Sequence, residues 1–317
     1  MKILITGVHG FVGSNLVNAL SKDNIIYGLD ILDPIKDGVK FTFKWDDLDK
    51  EGMVPEMDAI IHLAGKAHDT KNQAAADVYF KVNRDLTIKI FDYFCSHPNI
   101  KKFVFFSTAK AAADKVEGIL TEDVIPSPVG PYGESKIAAE QYILNTMKSR
   151  PDEFKERGVY IFRPCMIHGP GNKGNLNLLY NVVKKGIPWP LGAFENRRTF
   201  TSVENICFAV CGVITKDIES GIYNMGDDEA LSTNELIEEI CKSLGKKAHI
   251  WKLPKGLMNG VAKVGGWLHL PLNTERLRKL TENYISSNAK IKKALGVERM
   301  PVDAREGLQA TLNSFKG

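Results

Sequence analysis

The stretch GPYGESKIAAEQ, residues 130–141, sets Tyr132 four residues ahead of Lys136 in a run with helical character. At about 100° per residue the two side chains share a helical face, one turn apart. A nearby ammonium favours the phenolate over the phenol. A pair so placed can therefore move a proton near neutral pH. The same spacing also describes an exposed Tyr–Lys pair on a surface helix, and the rest of the chain has to separate the two readings.

A second group of residues is suited to holding phosphate. ITGVHGFVG places Gly7, Gly10 and Gly13 between an N-terminal apolar run and a helical pattern. Glycines there allow a tight turn and close approach of a pyrophosphate to the backbone. The unpaired N–H groups at the helix start then face the anion. The spacing is GxxGxxG rather than GxGxxG, and its force comes from its position directly after the first strand. Asp30 ends the next apolar run, where a carboxylate hydrogen-bonds adenosine ribose hydroxyls and repels a 2′-phosphate. This favours NAD over NADP, against the plainer reading of Asp30 as a strand-end turn residue.

The elements that must position these groups alternate through the first half. KILIT (2–6), IIYGLD (25–30), AIIHLAG (59–65), KFVFFST (102–108) and GVYIFRP (158–164) are separated by helical patterns at about 11–21, 77–97 and from Tyr132 onward. Continuous apolar strands between helices imply a parallel sheet covered on both faces. Beyond about residue 170 the pattern becomes irregular, which implies a smaller second lobe, with the part near RRTFTSVENI (197–206) returning to the first.

Composition narrows the class. The chain has 317 residues, 44% hydrophobic and 25% charged, with a net charge of +4 spread thinly along it. That is globular, and it argues against nucleic acid or a membrane surface as partner. Five cysteines without a CxxC suit a reducing compartment. Cys207 and Cys211 share a helical face with no further ligand at zinc spacing, and read as small buried side chains. No signal peptide and no membrane-spanning run is expected. LPKGLMNGVAKVGGWLHLP (253–271) is mildly amphipathic but glycine-rich and not strongly basic, so it reads as a packed helix or loop.

GxxGxxG, HLAG, the strand-end ST, YGESK and FRPCMIHGPG, in that order, resemble the extended short-chain dehydrogenase/reductases that act on nucleotide sugars. Among these, the UDP-hexose 4-epimerases and 4-keto-sugar reductases are the nearest in pattern. The resemblance runs from Met1 to about Val302. It implies an α/β fold, a Rossmann-type doubly wound parallel sheet with a smaller C-terminal substrate-binding lobe. Residues 1–169, with a later return near 197–225, would bind NAD, and residues 170–317 would mainly bind the nucleotide sugar.

Carried over residue by residue, the resemblance makes Tyr132 the acid/base and Lys136 its partner, which also binds the nicotinamide ribose. Thr108 matches the hydroxyl that contacts the substrate oxygen, with Ser107 as the alternative register. Gly7, Gly10, Phe11, Val12 and Gly13 would hold the cofactor diphosphate, with Asp30 at the ribose. Asp47 and Leu48 match the pair facing adenine, and Leu63, Ala64 and Gly65 match the loop beside the cofactor. Asn83 matches the cofactor-side asparagine, or else caps the following helix. Asn175, Leu176 and Arg198 match substrate contacts, Arg198 at the diphosphate; a solvated Arg197–Arg198 pair is the alternative.

The departures are informative too. Dehydratases of this group carry acidic residues just after the strand-end hydroxyl, where this chain has Ala109 and Lys110, so elimination of water lacks its acid/base pair. AAA (111–113) replaces the usual VYG. His168 stands where tyrosine is usual, its role open, and His62 reads as structural. The expected activity is NAD-dependent epimerisation at C4 of a UDP-sugar. A reductase of a nucleotide-linked 4-keto sugar or an idle NAD-binding regulator are the rivals. A cytoplasmic homodimer without metal, formed through the helix bearing IAAEQYIL (137–144), completes the expectation.

Overall fold

In the computed structural model, Lys2–Thr6, Ala59–His62, Lys102–Phe106 and Gly158–Pro164 form the middle of a seven-stranded sheet. Successive side chains of a strand point to opposite faces, and here both faces are apolar. Ile3, Ile5, Val104 and Phe162 belong to one core layer, with Leu16 and Val17 of helix Phe11–Leu20 and Ile206 and Val210 of helix Val203–Thr215. Leu4, Ile60, Phe103 and Ile161 belong to the other, with Ile90 and Phe94 of helix Leu86–Ser96 and Ile143 of helix Pro131–Ser149. The structure describes residues 1–67, 75–172, 174–267 and 273–316.

The sheet order is Gly221–Met225, Gly158–Pro164, Lys102–Phe106, Ala59–His62, Lys2–Thr6, Ile25–Leu29, Val39–Phe43, and every pair is parallel. The chain moves outward one way from Lys2–Thr6 and then crosses to its other side at Ala59–His62. The loops leaving these two strands therefore part at the carboxyl edge and open a crevice, the position where such sheets bind ligands. The strand Val39–Phe43, which the apolar pattern does not announce, is an edge strand with Phe41 exposed. The helix expected over 77–97 is interrupted: a π-helical turn, Lys81–Asp85, joins Ala76–Phe80 to Leu86–Ser96.

The second lobe has its own core, built from Leu176, Tyr180, Trp189, Leu236, Ile240, Met258 and Leu308 among others. Two short parallel pairs stitch the chain together: Ile119–Leu120 with Ile285–Ser286, and Met166–His168 with Phe200–Ser202. The late segment also returns to the sheet, where Ile291, Leu295 and Met300 join the first core layer. Among the described residues no helix is long and apolar enough to cross a membrane.

Candidate active site

The glycine turn closes the crevice from one side. Gly7 has φ +69°, and a Cβ there would lie 3.0 Å from Ala64 N, so the first loop touches the loop after Ala59–His62 through backbone alone. A Cβ on Gly13 would come within 2.9 Å of Val8 Cα and into the Gly7 carbonyl. Gly10 caps the helix that Phe11, Val12 and Gly13 begin. The N–H groups of a first helical turn have no intrahelical acceptor, and the turn packs so tightly that a side chain at Gly7 or Gly13 would meet backbone. Asp30 accepts hydrogen bonds from His9 N at 3.1 Å and Ile31 N at 2.8 Å, which fixes its carboxylate beside this turn. A dinucleotide diphosphate and ribose fit these groups.

Asp47 closes its own turn. Its carboxylate accepts from Lys44 N at 2.9 Å and from the Lys50 ammonium at 2.8 Å, closing the short helix Trp45–Asp49. The Lys50 hydrogen bond, then that of Lys44 N, holds its pKa below the ordinary carboxylate value. Leu48 packs partly against the second core layer.

A buried chain of polar groups fixes the other wall. The Thr6 hydroxyl oxygen accepts from Leu63 N at 3.1 Å and Ala64 N at 3.0 Å, and lies 2.7 Å from His62 Nδ1. Thr87 donates to the Asn83 carbonyl at 2.7 Å, and its oxygen lies 2.9 Å from His62 Nε2. With the Thr87 proton so placed, Nε2 of His62 carries a proton and Nδ1 accepts that of Thr6. Burial, with Lys136 adding to it, holds His62 well below its usual pKa, so the ring is neutral. Asn83, fully buried in the π turn, does not cap a helix: it accepts from Lys66 N at 2.7 Å and donates to Lys66 O at 3.1 Å and Ser135 Oγ at 3.0 Å. A Cβ on Gly65 would meet Asn83 Oδ1 at 3.0 Å and Lys136 Nζ at 3.1 Å. Leu63, Ala64, Gly65, Asn83 and Lys136 therefore converge on one wall.

Tyr132 and Lys136 lie in the first turns of Pro131–Ser149, which starts at Gly130 (φ +83°) with proline in first position. The Tyr132 phenol faces the Thr108 side chain, and its ring meets Tyr79 edge-on at 6.5 Å between centroids. Burial pushes the phenol up, the nearby Thr108 hydroxyl opposes this, and Tyr79 adds to the rise. The Lys136 ammonium, which the spacing sets against the phenol, instead donates to Phe106 O at 2.8 Å. Burial brings Lys136 down to about 8, with Glu140 opposing.

The two adjacent hydroxyls divide their work. Ser107 donates to buried Glu140, which pairs with buried Arg163 through Nη2 at 2.5 Å and Nε at 3.1 Å. Thr108 faces Tyr132, and its oxygen accepts from Lys110 N at 3.3 Å.

On the substrate side, Leu176 is buried in the second-lobe core at the start of helix Asn175–Lys184, and the Asn175 side chain lies outside what the structure describes. Arg198 is half-buried; its guanidinium donates to Lys279 O, and burial lowers it while Glu282 opposes. Arg197, exposed, pairs with Glu235 at 3.1 Å, so the two arginines do not act as one solvated pair. Lys110 reaches Asp114 at 3.2 Å and lies over the Tyr284 ring, and Arg278 bridges Asp114 and Glu282 at 3.2 and 2.8 Å. His168 lies elsewhere: its Nδ1 is 2.9 Å from Thr311 Oγ1 and its Nε2 3.3 Å from Asp227, tying the C-terminal helix Ala304–Ser314 to Met166–His168.

The sequence reading missed Thr6, Thr87, Tyr79 and Glu140. Glu140 alone carried a signal, one turn beyond Lys136 on the same face. Among the described residues no cluster of histidine, cysteine and carboxylates could hold a metal ion.

Residues 3–226 match the NAD dependent epimerase/dehydratase family. The UDP-glucose 4-epimerase of Vibrio cholerae is 30% identical over 267 residues, covering 80% of this chain and 78% of its own. The N-acetyl-alpha-D-glucosaminyl-diphospho-ditrans,octacis-undecaprenol 4-epimerase of Escherichia coli O157:H7 is 27% identical, covering 92% and 84%. The crystal structure of UDP-glucuronic acid 4-epimerase from Bacillus cereus, in complex with NAD, superposes with a TM-score of 0.75 at 22% identity, covering 100% of this chain and 99% of that one.

Proposed function

The chain belongs to the NAD-dependent epimerase/dehydratase family, and from there we propose that it inverts C4 of a UDP-sugar through a transient 4-keto intermediate. The observation that carries this reading is the junction of Thr108, Tyr132 and Lys136 beside the glycine cradle, with Ala109 and Lys110 where elimination would need carboxyl groups.

The cofactor would be held by Gly7, Gly10, Phe11, Val12 and Gly13 at the diphosphate, Asp30 at the adenosine ribose and Leu48 at adenine, with Asp47 fixing the turn that carries Leu48. Leu63, Ala64, Gly65 and Asn83 would form the wall toward the nicotinamide ribose, which Tyr132 and Lys136 would bind. NAD bound there would supply the acceptor for a hydride from C4 and the donor for its return. Tyr132 removes the proton of the 4-hydroxyl and later restores it. Thr108 donates to the phenol oxygen and so stabilises the phenolate that the first step needs. Lys136, with a pKa of about 8, is mostly protonated at pH 7 and contributes positive charge to the same wall. The backbone at Asn175 and Leu176 would line the nucleotide, and Arg198 would take its diphosphate, a contact suited to the planar guanidinium.

The protein acts as a cytoplasmic homodimer paired through helix Pro131–Ser149, where Ile137, Ala138 and Leu144 remain partly exposed. A second reading, in which a lipid diphosphate carries the sugar as in the name of the E. coli relative, draws support from the bare apolar face of helix Lys255–Trp267.

The test is incubation with UDP-glucose or UDP-N-acetylglucosamine and catalytic NAD. Formation of the 4-epimer without build-up of NADH is the expected result. Consumption of stoichiometric NADH, and only with a 4-keto sugar, would make the protein a reductase instead. Release of a 4-keto-6-deoxy sugar would overturn the argument from Ala109 and Lys110.

A further inference from the structure

Helix Lys255–Trp267 has two apolar faces. Met258, Ala262 and Gly265 are buried, the first two in the second-lobe core. Leu257, Val261, Val264 and Trp267 occupy an arc of about 120° on the outer side, and are 54%, 46%, 54% and 80% exposed. Trp251, just ahead of the helix, is 54% exposed as well. The packed helix expected from the sequence is therefore only its inner half. Nor do the glycines explain the outer half, because a Cβ on Gly256 or Gly260 would meet nothing within 4 Å.

Charge says what can cover this ridge. From Lys246 to Trp267 the sequence holds five lysines (246, 247, 252, 255 and 263) and no aspartate or glutamate. All five are exposed, and Lys263 borders the apolar arc beside Trp267. A two-fold pairing of two copies through this face would bring the same lysines against one another, with no carboxylate in the segment to neutralise them. An anionic bilayer surface meets both features. Its headgroup phosphates attract the lysines, and its acyl boundary accepts an apolar ridge lying in the membrane plane. Tryptophan, apolar in body with a polar N–H, is suited to that boundary.

We propose that helix Lys255–Trp267 docks the protein on anionic membrane surfaces, inserting Leu257, Val261, Val264 and Trp267 among the headgroups. The docking is independent of which reaction the crevice performs, and its test does not depend on turnover.

The test is co-sedimentation of the full-length protein with phosphatidylcholine vesicles, with and without phosphatidylglycerol. Binding to the anionic vesicles, weakening as salt is raised and accompanied by a blue shift of tryptophan emission, is the expected result. The double variant Val261→Glu/Val264→Glu should lower the bound fraction at least about tenfold. Lys252→Gln/Lys263→Gln should weaken binding to anionic vesicles selectively. Unchanged thermal midpoints show that the variants fold. Absence of binding by the wild type, or binding by the glutamate variant equal to it, would overturn the proposal. So would self-association abolished by the same glutamates without vesicle binding, which would make the face a contact between copies.

Discussion

Ser107 and Thr108 are neighbours with the same functional group, yet the fold gives them different tasks. Ser107 satisfies a buried carboxylate, while Thr108 meets the phenol of Tyr132. Thr108→Ala should lower turnover by roughly 10²-fold, the loss typical of one donor at a reacting oxygen. Tyr132→Phe should lower it by roughly 10²–10⁴-fold with NAD binding nearly unchanged. Ser107→Ala should leave turnover close to wild type and cost about 1–3 kcal/mol of stability, because Glu140 loses a partner in a buried site. Steady-state kinetics and urea unfolding on the three variants check this; equal kinetic losses at 107 and 108 would contradict it. The sequence left the choice between the two hydroxyls open, because a one-residue shift at a strand end changes which face a side chain takes. It also set the Lys136 ammonium against the phenol, whereas the structure sends it to the Phe106 carbonyl, a backbone acceptor that spacing within one helix does not reveal.

At the scale of elements, two strand ends and one irregular helix build the crevice wall. The π turn Lys81–Asp85 turns Asn83 inward, and the relay Thr6–His62–Thr87 joins it to the first strand. A titration tests this relay. Burial lowers the pKa of folded His62, whereas the unfolded residue keeps a value near 6.5. Below that pH the unfolded chain binds a proton that the folded one refuses, so stability falls as pH falls. Between pH 7.5 and 5.5 the wild type should lose about 1.4 kcal/mol through this group, and His62→Gln should lack that part of the slope. Urea unfolding at the two pH values measures it, and parallel slopes would show that His62 is not held neutral. The strands through the middle of the sheet were legible because burial on both faces leaves continuous apolar runs. The edge strand Val39–Phe43 was not, since one side faces solvent and its sequence alternates too briefly. The π turn was invisible for a related reason: it shifts the helical phase by one residue inside an otherwise regular pattern.

For the molecule as a whole, the parallel order puts the glycine turn and the HLAG loop side by side at the switch in strand direction, and the chain's later half supplies the second lobe. The lobes are not consecutive pieces of sequence. Helix Val203–Thr215, strand Gly221–Met225 and the segment around Ile291 and Leu295 all return to the sheet. Ordered motifs made the first lobe readable, but substrate contacts depend on how distant segments meet. Arg198, for example, lies among Lys279, Glu282 and Arg278, which no local pattern connects to it. The central claim is that hydrogen leaves C4 and returns to C4 within one turnover. The measurement that tests it most directly uses UDP-glucose carrying deuterium at C4, incubated with the enzyme and catalytic NAD and followed by mass spectrometry and NMR of the product sugar. The account predicts a 4-epimer that keeps its deuterium at C4, with none in solvent or in free NADH. Deuterium found at C6, or lost from the sugar into the cofactor pool, would contradict it.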